Sequence, residues 1–289
     1  MTAPAEDADN SSDDASNTSL DGADNSGGCD VDVSRPHVAR MYDYYLGGTH
    51  NLAIDREWAD KTIEVMPGIV AAARANRAFQ QRAVRYCLDA GLRQFLDLGS
   101  GIPTVGHVHE IAHALDPAIR VAYVDVEPVA VAQTKRLLSD VPTATVTEAD
   151  IADPSTVLSA PGVAELLDFG QPIVVIACAV LHFVSDEQSP AAILAKYRGS
   201  VAPGSALVFS HGEISVEATE QGAKLHELFG KTTQPGHRRT RADIETMLAG
   251  WELVDPGLVD VAEWRPDVPV AGHDARDTVT MQAAVGRLR

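Results

Sequence analysis

Gln94-Phe95-Leu96-Asp97-Leu98-Gly99-Ser100-Gly101 is an apolar strand that runs into a glycine turn and then, over His107–Leu115, into a helix. Glycine permits the sharp turn and lets a ligand approach the backbone closely. A dinucleotide loop would carry a third glycine where Thr104 stands behind Pro103, with the pyrophosphate on the helix N-terminus. Asp97, just ahead of the first glycine, suits a ligand with an ammonium group better than a pyrophosphate.

Working outward, the pattern alternates. Further strands are expected at Arg120–Val126, Ala144–Glu148, Ile173–Ala179, Ala206–Ser210, Trp251–Asp255 and Thr278–Gly286, which with Gln94–Leu98 makes seven. Helices fall between them at Val129–Ser139, Val163–Leu167, Ala191–Ser200, Val216–Phe229 and Arg241–Leu248. Ile173–Ala179 is apolar almost throughout, the mark of a central strand buried on both faces. Strands alternating with helices imply an α/β, Rossmann-like architecture: a mostly parallel seven-stranded sheet covered by helices. Upstream, helical spacing over Arg40–Leu46, Asp55–Val65 and Gly68–Ala90 forms an N-terminal helical cap.

Two further acids narrow the ligand. Asp125 ends the second strand, 24 residues past Gly101, where a doubly wound sheet reads a ribose diol with a carboxylate. Asp150 follows the third strand, where it can accept from an adenine amino group while Ile151 packs on the ring. Ammonium, ribose and adenine together describe S-adenosylmethionine. An NAD-dependent oxidoreductase is the rival reading, and Thr104 weakens it.

The bulk composition fits an enzyme of this kind. At 45% hydrophobic residues the chain can bury a real core, and its net charge is −18. Residues 1–33 hold nine acids and no Lys or Arg, half of that charge, with little to bury, so they read as a disordered acidic tail. The remainder, a cap over 34–90 and a cofactor-binding domain over 91–289, carries 23 basic and 32 acidic side chains. That balance argues against nucleic acid or an anionic membrane and for a small-molecule substrate. Cys29, Cys87 and Cys178 have no metal-like or disulfide-like spacing, and no apolar run reaches the length of a membrane span. The N-terminus lacks the pattern of a secretory signal, and a cytoplasmic location is expected.

His109-Glu110-Ile111-Ala112-His113 matches the H-E-x-x-H zinc pattern, with His107 as a third imidazole. The zincin pattern needs a long helix and a further downstream ligand, and this helix is short and opens from the glycine loop. No metal is expected.

The chain resembles a bacterial family of S-adenosylmethionine-dependent methyltransferases formerly catalogued as a domain of unknown function. The matching stretches include Ser34-Arg35-Pro36, Arg40-Met41-Tyr42-Asp43-Tyr44-Tyr45-Leu46-Gly47-Gly48, Asn51, Asp55-Arg56 and Arg74-Ala75-Asn76-Arg77-Ala78-Phe79. Downstream they include Gly91 to Asp97, Gly101-Ile102-Pro103-Thr104, Val180-Leu181-His182-Phe183-Val184 and Ser210-His211. The resemblance runs from about residue 34 to 270, and the family commonly has Gln at the place of His113. It implies a methyltransferase-type sheet with Asp97, Gly99, Ser100 and Gly101 forming the methionine-side loop. Asp125 would hold the ribose, Asp150 and Ile151 the adenine, and Arg77 the cofactor carboxylate.

Methyl transfer is an in-line displacement at an activated carbon, so the protein aligns an O or N nucleophile and removes its proton. His182 and His211 follow the fourth and fifth strands, facing the expected methyl position, and an unperturbed pKa of ~6.5 suits a general base. Tyr42, Asp43, Tyr44 and Asn51, in the glycine-hinged segment before the sheet, are expected to form a lid over cofactor and acceptor. A protein that binds the cofactor without catalysing transfer is the second rival reading.

Overall fold

The computed structural model describes residues 34–103, 106–213, 220–237, 239–268 and 280–289. The acidic stretch 1–33, Thr104, and the first residues of the helix expected at Val216–Phe229 and of the strand expected at Thr278–Gly286 lie outside them. Ten α-helices are described: α1 (Val38–Tyr45), α2 (Ala53–Val65), α3 (Ile69–Asp89), α4 (Val108–Leu115), α5 (Pro128–Leu137), α6 (Pro154–Ser159), α7 (Pro161–Ala164), α8 (Pro190–Gly199), α9 (Glu220–Gly230) and α10 (Arg241–Met247). The strands are β1 (Gln94–Leu98), β2 (Arg120–Asp125), β3 (Ala144–Glu148), β4 (Val174–Cys178), β5 (Ala206–Gly212), β6 (Glu252–Leu253), β7 (Val259–Asp260) and β8 (Met281–Arg287).

The strands form one sheet in the order β3-β2-β1-β4-β5-β8-β6, with β7 also pairing β8. From β3 to β5 the pairs are parallel, and β8 runs antiparallel to its neighbours. The strand missed in the sequence is β7, whose two residues are too few to show alternation. The run expected at Trp251–Asp255 pairs only over Glu252–Leu253. Helix α6 falls between the expected strand Ala144–Glu148 and the expected helix Val163–Leu167, where no helix was expected: Asp153 caps it by accepting from the Ser155 and Thr156 N–H groups, and Pro154 opens it.

Side chains alternate across the sheet as a two-residue period requires. On one face Leu96, Leu98, Val124, Val175, Leu207 and Phe209 pack with residues of α8 and α10, among them Leu194 and Met247. On the other, Phe95, Val121, Tyr123, Val174, Ile176 and Val208 pack with Phe79, Val84 and Leu88 of α3 and Val108 of α4. The same period puts Asp97 and Asp125 on the α3 face, level with Phe95 and Tyr123. The order reverses between β1 and β4, which opens a crevice at their C-terminal ends, the general ligand position in such sheets.

The N-terminal helices divide in their packing. Helix α3 is part of the layer beneath the sheet, whereas Met41, Tyr45 and Ala59 of α1 and α2 form a separate cluster with Ala73. A buried polar network ties α1 and α2 to the end of β2. Arg40 Nε donates to Asp55 Oδ2 at 2.7 Å and its NH1 donates to Glu127 Oε1 at 2.7 Å. His37 Nδ1 accepts from the Ala39 N–H, so its proton lies on Nε2, 3.1 Å from Glu127 Oε2. Burial, reinforced by the Arg40 charge, lowers the His37 pKa to about 3, so the ring meets Glu127 as a neutral hydrogen-bond donor and not as a cation. Burial also holds the Glu127 carboxyl above its usual range despite Arg40, so desolvation outweighs pairing there.

Candidate functional site

At the C-terminal ends of β1 and β2 the backbone turns tightly under the carboxylates. Gly99 and Gly101 have φ of +67° and +68°, which glycine adopts without strain. The Gly99 and Ser100 N–H groups donate to the Val124 carbonyl, so the loop is pinned to β2. A Cβ on Gly99 would run into the Val180 side chain, whereas one on Gly101 would meet nothing within 4 Å. Gly99 is therefore a packing glycine, and Gly101 borders open space.

Asp125 accepts from the Gly101 N–H at 2.7 Å on Oδ2 and from the Glu127 N–H at 2.8 Å on Oδ1. Each oxygen keeps a second lone pair for a hydroxyl. Burial raises the Asp125 pKa against these donors. Asp97 lies on the same face of the neighbouring strand. Burial lifts its pKa to about 7, with the Arg77 guanidinium opposing and Asp125 adding to the rise. Arg77 is half-buried on α3; its NH1 donates to Gln80 at 3.0 Å and its guanidinium lies 5.9 Å from the Tyr42 ring centroid.

The expected adenine residues follow β3. The Ala149 N–H donates to the Asp125 carbonyl at 3.0 Å, which holds that strand end close to the ribose acid. Asp150 is exposed and accepts from the Ala152 N–H at 2.8 Å. Ile151 is buried in the core, and its carbonyl receives the Tyr197 hydroxyl at 3.0 Å.

His182 and His211 come together, ring centroids 5.3 Å apart and nearly perpendicular. His211 is 0% exposed and both its nitrogens are engaged: Nδ1 lies 2.7 Å from the Gly212 carbonyl and Nε2 3.3 Å from Arg239 NH1. A carbonyl accepts and a guanidinium donates, so the proton is on Nδ1 and the Nε2 lone pair is taken. Burial lowers the His211 pKa to about 4. His182 is half-buried, with its pKa well below the usual histidine value through burial and then the charges of His211 and Arg239. Its Nδ1 receives a long bond, 3.4 Å, from the Gly212 N–H.

The four expected lid residues separate. The Tyr42 hydroxyl donates to the Ala73 carbonyl and accepts from Asn76 Nδ2, both at 3.0 Å, beside Arg77. Asp43 accepts from the His50 N–H and from Asn51 Nδ2, closing the Gly47-Gly48 turn, and a Cβ on Gly48 would collide with the Asp43 carboxylate. Tyr44 donates to Asp60 of α2 at 3.0 Å in an exposed contact. Of the four, Tyr42 is the one whose contact with Arg77 is described.

Sequence reasoning overlooked several residues that hold this edge together. Ser210 Oγ donates to Asn76 Oδ1 at 2.5 Å and accepts from the Ala179 N–H at 3.0 Å, so α1, α3, β4 and β5 meet through Tyr42, Asn76 and Ser210. Ala179 has φ of +53°, unusual for a residue with a Cβ, at the β4 end. Arg239 anchors the segment after β4 by donating to the Leu181 and Val184 carbonyls and to Asp186. Asn76 stood in a stretch of the family resemblance, and a polar residue on the apolar face of α3 was the signal available.

The H-E-x-x-H residues are occupied structurally. Glu110 caps α4 by accepting from the Gly106 and His107 N–H groups, His109 Nδ1 pairs with the Tyr123 hydroxyl at 2.7 Å, and His113 Nε2 reaches the Ile119 carbonyl at 2.9 Å. Among the described residues no group of three His, Cys, Asp or Glu side chains is placed to hold a metal ion, and no helix is long and apolar enough to cross a membrane.

The model of a family described as S-adenosyl methyltransferase matches residues 24–289. A solved candidate methyltransferase of Thermobifida fusca is 35% identical with a TM-score of 0.83, covering 90% of this chain and 97% of its own. A DUF574 family protein of Streptomyces avermitilis is 35% identical with a TM-score of 0.84, covering 90% of this chain and 100% of its own. A search of curated proteins gave no match. The chain belongs to the S-adenosyl methyltransferase family. It is an S-adenosylmethionine-dependent methyltransferase built on a Rossmann-like sheet.

Proposed function

We propose that the chain transfers the methyl group of S-adenosylmethionine to an O or N atom of a small molecule, bound between the ends of β4 and β5 and the helices α1 and α2. The cofactor would lie across β1 and β2. Its ammonium would meet Asp97, its carboxylate Arg77, its ribose diol Asp125, its adenine Asp150 and Ile151, and its chain would pass over Gly99, Ser100 and Gly101. The observation that carries this placement is a pair of buried polar atoms without partners, Ser100 Oγ in the loop beside the open side of Gly101 and Arg77 Nε on α3, whose charge acts on Asp97. Buried donors and acceptors left unmatched are costly, and a zwitterionic ligand would match them. The bound cofactor supplies a sulfonium-activated methyl carbon.

His182 is assigned the acceptor's proton. A 3.4 Å bond is weak, so Nδ1 can exchange the Gly212 N–H for an acceptor O–H or N–H. His211 is assigned a positioning role, because its lone pair already faces a cation. Helices α1 and α2 roof this edge: Arg40 ties them to Glu127, and the Thr233 N–H donates to the Pro36 carbonyl. Such a roof, together with the acidic charge of the chain, favours a small acceptor over a nucleic acid or membrane surface. The test is incubation of the intact protein with methyl-labelled cofactor and a panel of small phenols, carboxylic acids and amines. Label in one product with matching S-adenosylhomocysteine supports the reading; cofactor binding with no labelled product across metabolite extracts opposes it.

The Asp97 carboxyl gives the cofactor affinity a pH dependence of calculable sign. In the free protein its pKa is raised to about 7, so below that pH it carries a proton that must leave before it can accept from an ammonium. Affinity for S-adenosylhomocysteine should rise by about tenfold from pH 6 to pH 8, since each unit of pKa is worth a factor of ten. Calorimetry in buffers of different ionisation enthalpy should show proton release at pH 6 that fades by pH 8. Asp97→Asn should bind more weakly and lose both effects; a flat wild-type profile opposes the assignment.

A further inference from the structure

His182 stands on a single turn of 3-10 helix, Leu181–Phe183, between the end of β4 and α8. So short a turn makes few bonds of its own: the Phe183 N–H reaches the Val180 carbonyl and the Val184 N–H the Leu181 carbonyl. Its remaining hold comes from the stretch just before α10. The His237 N–H donates to the His182 carbonyl at 2.7 Å. Arg239 NH1 donates to the Leu181 carbonyl at 2.9 Å, and its NH2 donates to the Val184 carbonyl at 2.6 Å. Upstream, the Ala179 N–H is held by both the carbonyl and the Oγ of Ser210, each at 3.0 Å.

The ring of His182 is held far more loosely. Carbonyls on either side of it are engaged, whereas Nδ1 of the half-buried ring has the 3.4 Å contact from the Gly212 N–H. Arg239 is 5% exposed, and its ion-pair partner among the described residues, Asp186, is itself mostly exposed. Its other partners are neutral: the two carbonyls, and His211 Nε2 at 3.3 Å. A buried cation is a costly clamp. What it delivers here is geometry, since one planar fork fixes the carbonyls of Leu181 and Val184 and the neighbouring imidazole together, which the single ammonium of a lysine cannot do.

We propose that Arg239 is a positioning residue for methyl transfer, clamping the turn that carries His182 so that the imidazole faces the acceptor. Arg239 acts through His182, and the proposal rests on the role given to His182 above.

A double-mutant cycle tests it. Arg239→Lys, His182→Ala and the pair are assayed with methyl-labelled S-adenosylmethionine and the acceptor labelled from the small-molecule panel. Turnover is counted per S-adenosylhomocysteine-binding site, so unfolded chains drop out. Arg239→Lys should lower kcat about 10- to 100-fold, the range for a small misplacement of a reacting group, with KM and the affinity for S-adenosylhomocysteine changed less than twofold. On the His182→Ala background the same substitution should cost less than twofold, because the group it positions is gone. An equal loss on both backgrounds would show that Arg239 serves the fold alone, and undiminished kcat in Arg239→Lys would overturn its role outright. Near-normal turnover in His182→Ala is a separate signature, which removes the role of His182 and that of Arg239 with it. If the lysine variant is not recovered folded, Arg239→Gln, an amide donor without the charge, enters the same cycle. A second reading needs no acceptor: with S-adenosylhomocysteine bound and histidine labelled at Cε1, the His182 signal, identified by its loss in His182→Ala, should shift in Arg239→Lys. The signal of His113, held by the Ile119 carbonyl, should stay in place. An unmoved His182 signal would show that Arg239 does not set the ring.

Discussion

Replacing Arg40 with Met should lower the stability of the protein by about 3–5 kcal/mol, the cost of leaving buried charges without a partner. Arg40 is 1% exposed and sits between Asp55, which is 0% exposed, and Glu127. Its removal strands two carboxylates at once. Asp55 also accepts from the His37 and Leu52 N–H groups, so it cannot swing out to water without unpairing the start of α2. At ~2–4 °C per kcal/mol for a domain of this size, the melting temperature should drop by roughly 6–20 °C. The site should loosen as well, because the Glu127 N–H positions Asp125. A melting temperature within 2 °C of wild type would show that the network is not stabilising. Replacing Arg40, Asp55 and Glu127 together by apolar residues should recover part of the loss, since no stranded charge then remains.

The second large effect is expected in turnover. His182→Ala should reduce kcat by about 100-fold, the lower range of what a positioned general base contributes, with the affinity for S-adenosylhomocysteine unchanged. His211→Ala should behave differently. It frees the Arg239 guanidinium from one partner and leaves a buried gap beside Phe209, so it should cost stability along with rate. Because burial holds the His182 pKa well below the usual histidine value, the ring is already neutral at neutral pH, and activity should not fall from pH 8 to pH 6 through its protonation. Near-normal kcat in His182→Ala, measured with an acceptor identified by label transfer, would remove it from the mechanism.

The parts of this molecule that were legible in the sequence are those with local causes. β1, β2, β4 and β5 announce themselves because an apolar run bounded by turns admits few other readings, and acids such as Asp97 and Asp125 stand out by breaking that run at its end. Their convergence follows from parallel strands, whose C-terminal ends share one edge. What stayed hidden depends on partners distant in sequence. Arg40 meets Asp55 and Glu127 across 15 and 87 residues, and Ser210 meets Asn76 across 134. No spacing rule couples such positions. Asp43 and Asn51 show the converse: they look like exposed polar groups on a glycine hinge, yet they bond to each other within it. The two histidines differ by a contact that the sequence leaves invisible, the Arg239 guanidinium on His211.

One titration tests whether the cofactor lies across the ends of β1 and β2. S-adenosylhomocysteine is titrated into the wild-type chain and into Asp125→Asn. The variant keeps the side-chain shape, but its amide carries an NH2 where an oxygen now accepts either the Gly101 or the Glu127 N–H. One site per wild-type chain is expected, with an affinity lower by about 10- to 100-fold in the variant, the range for losing charged hydrogen bonds. Equal affinity in the two proteins, both folded, would contradict this and place the cofactor elsewhere.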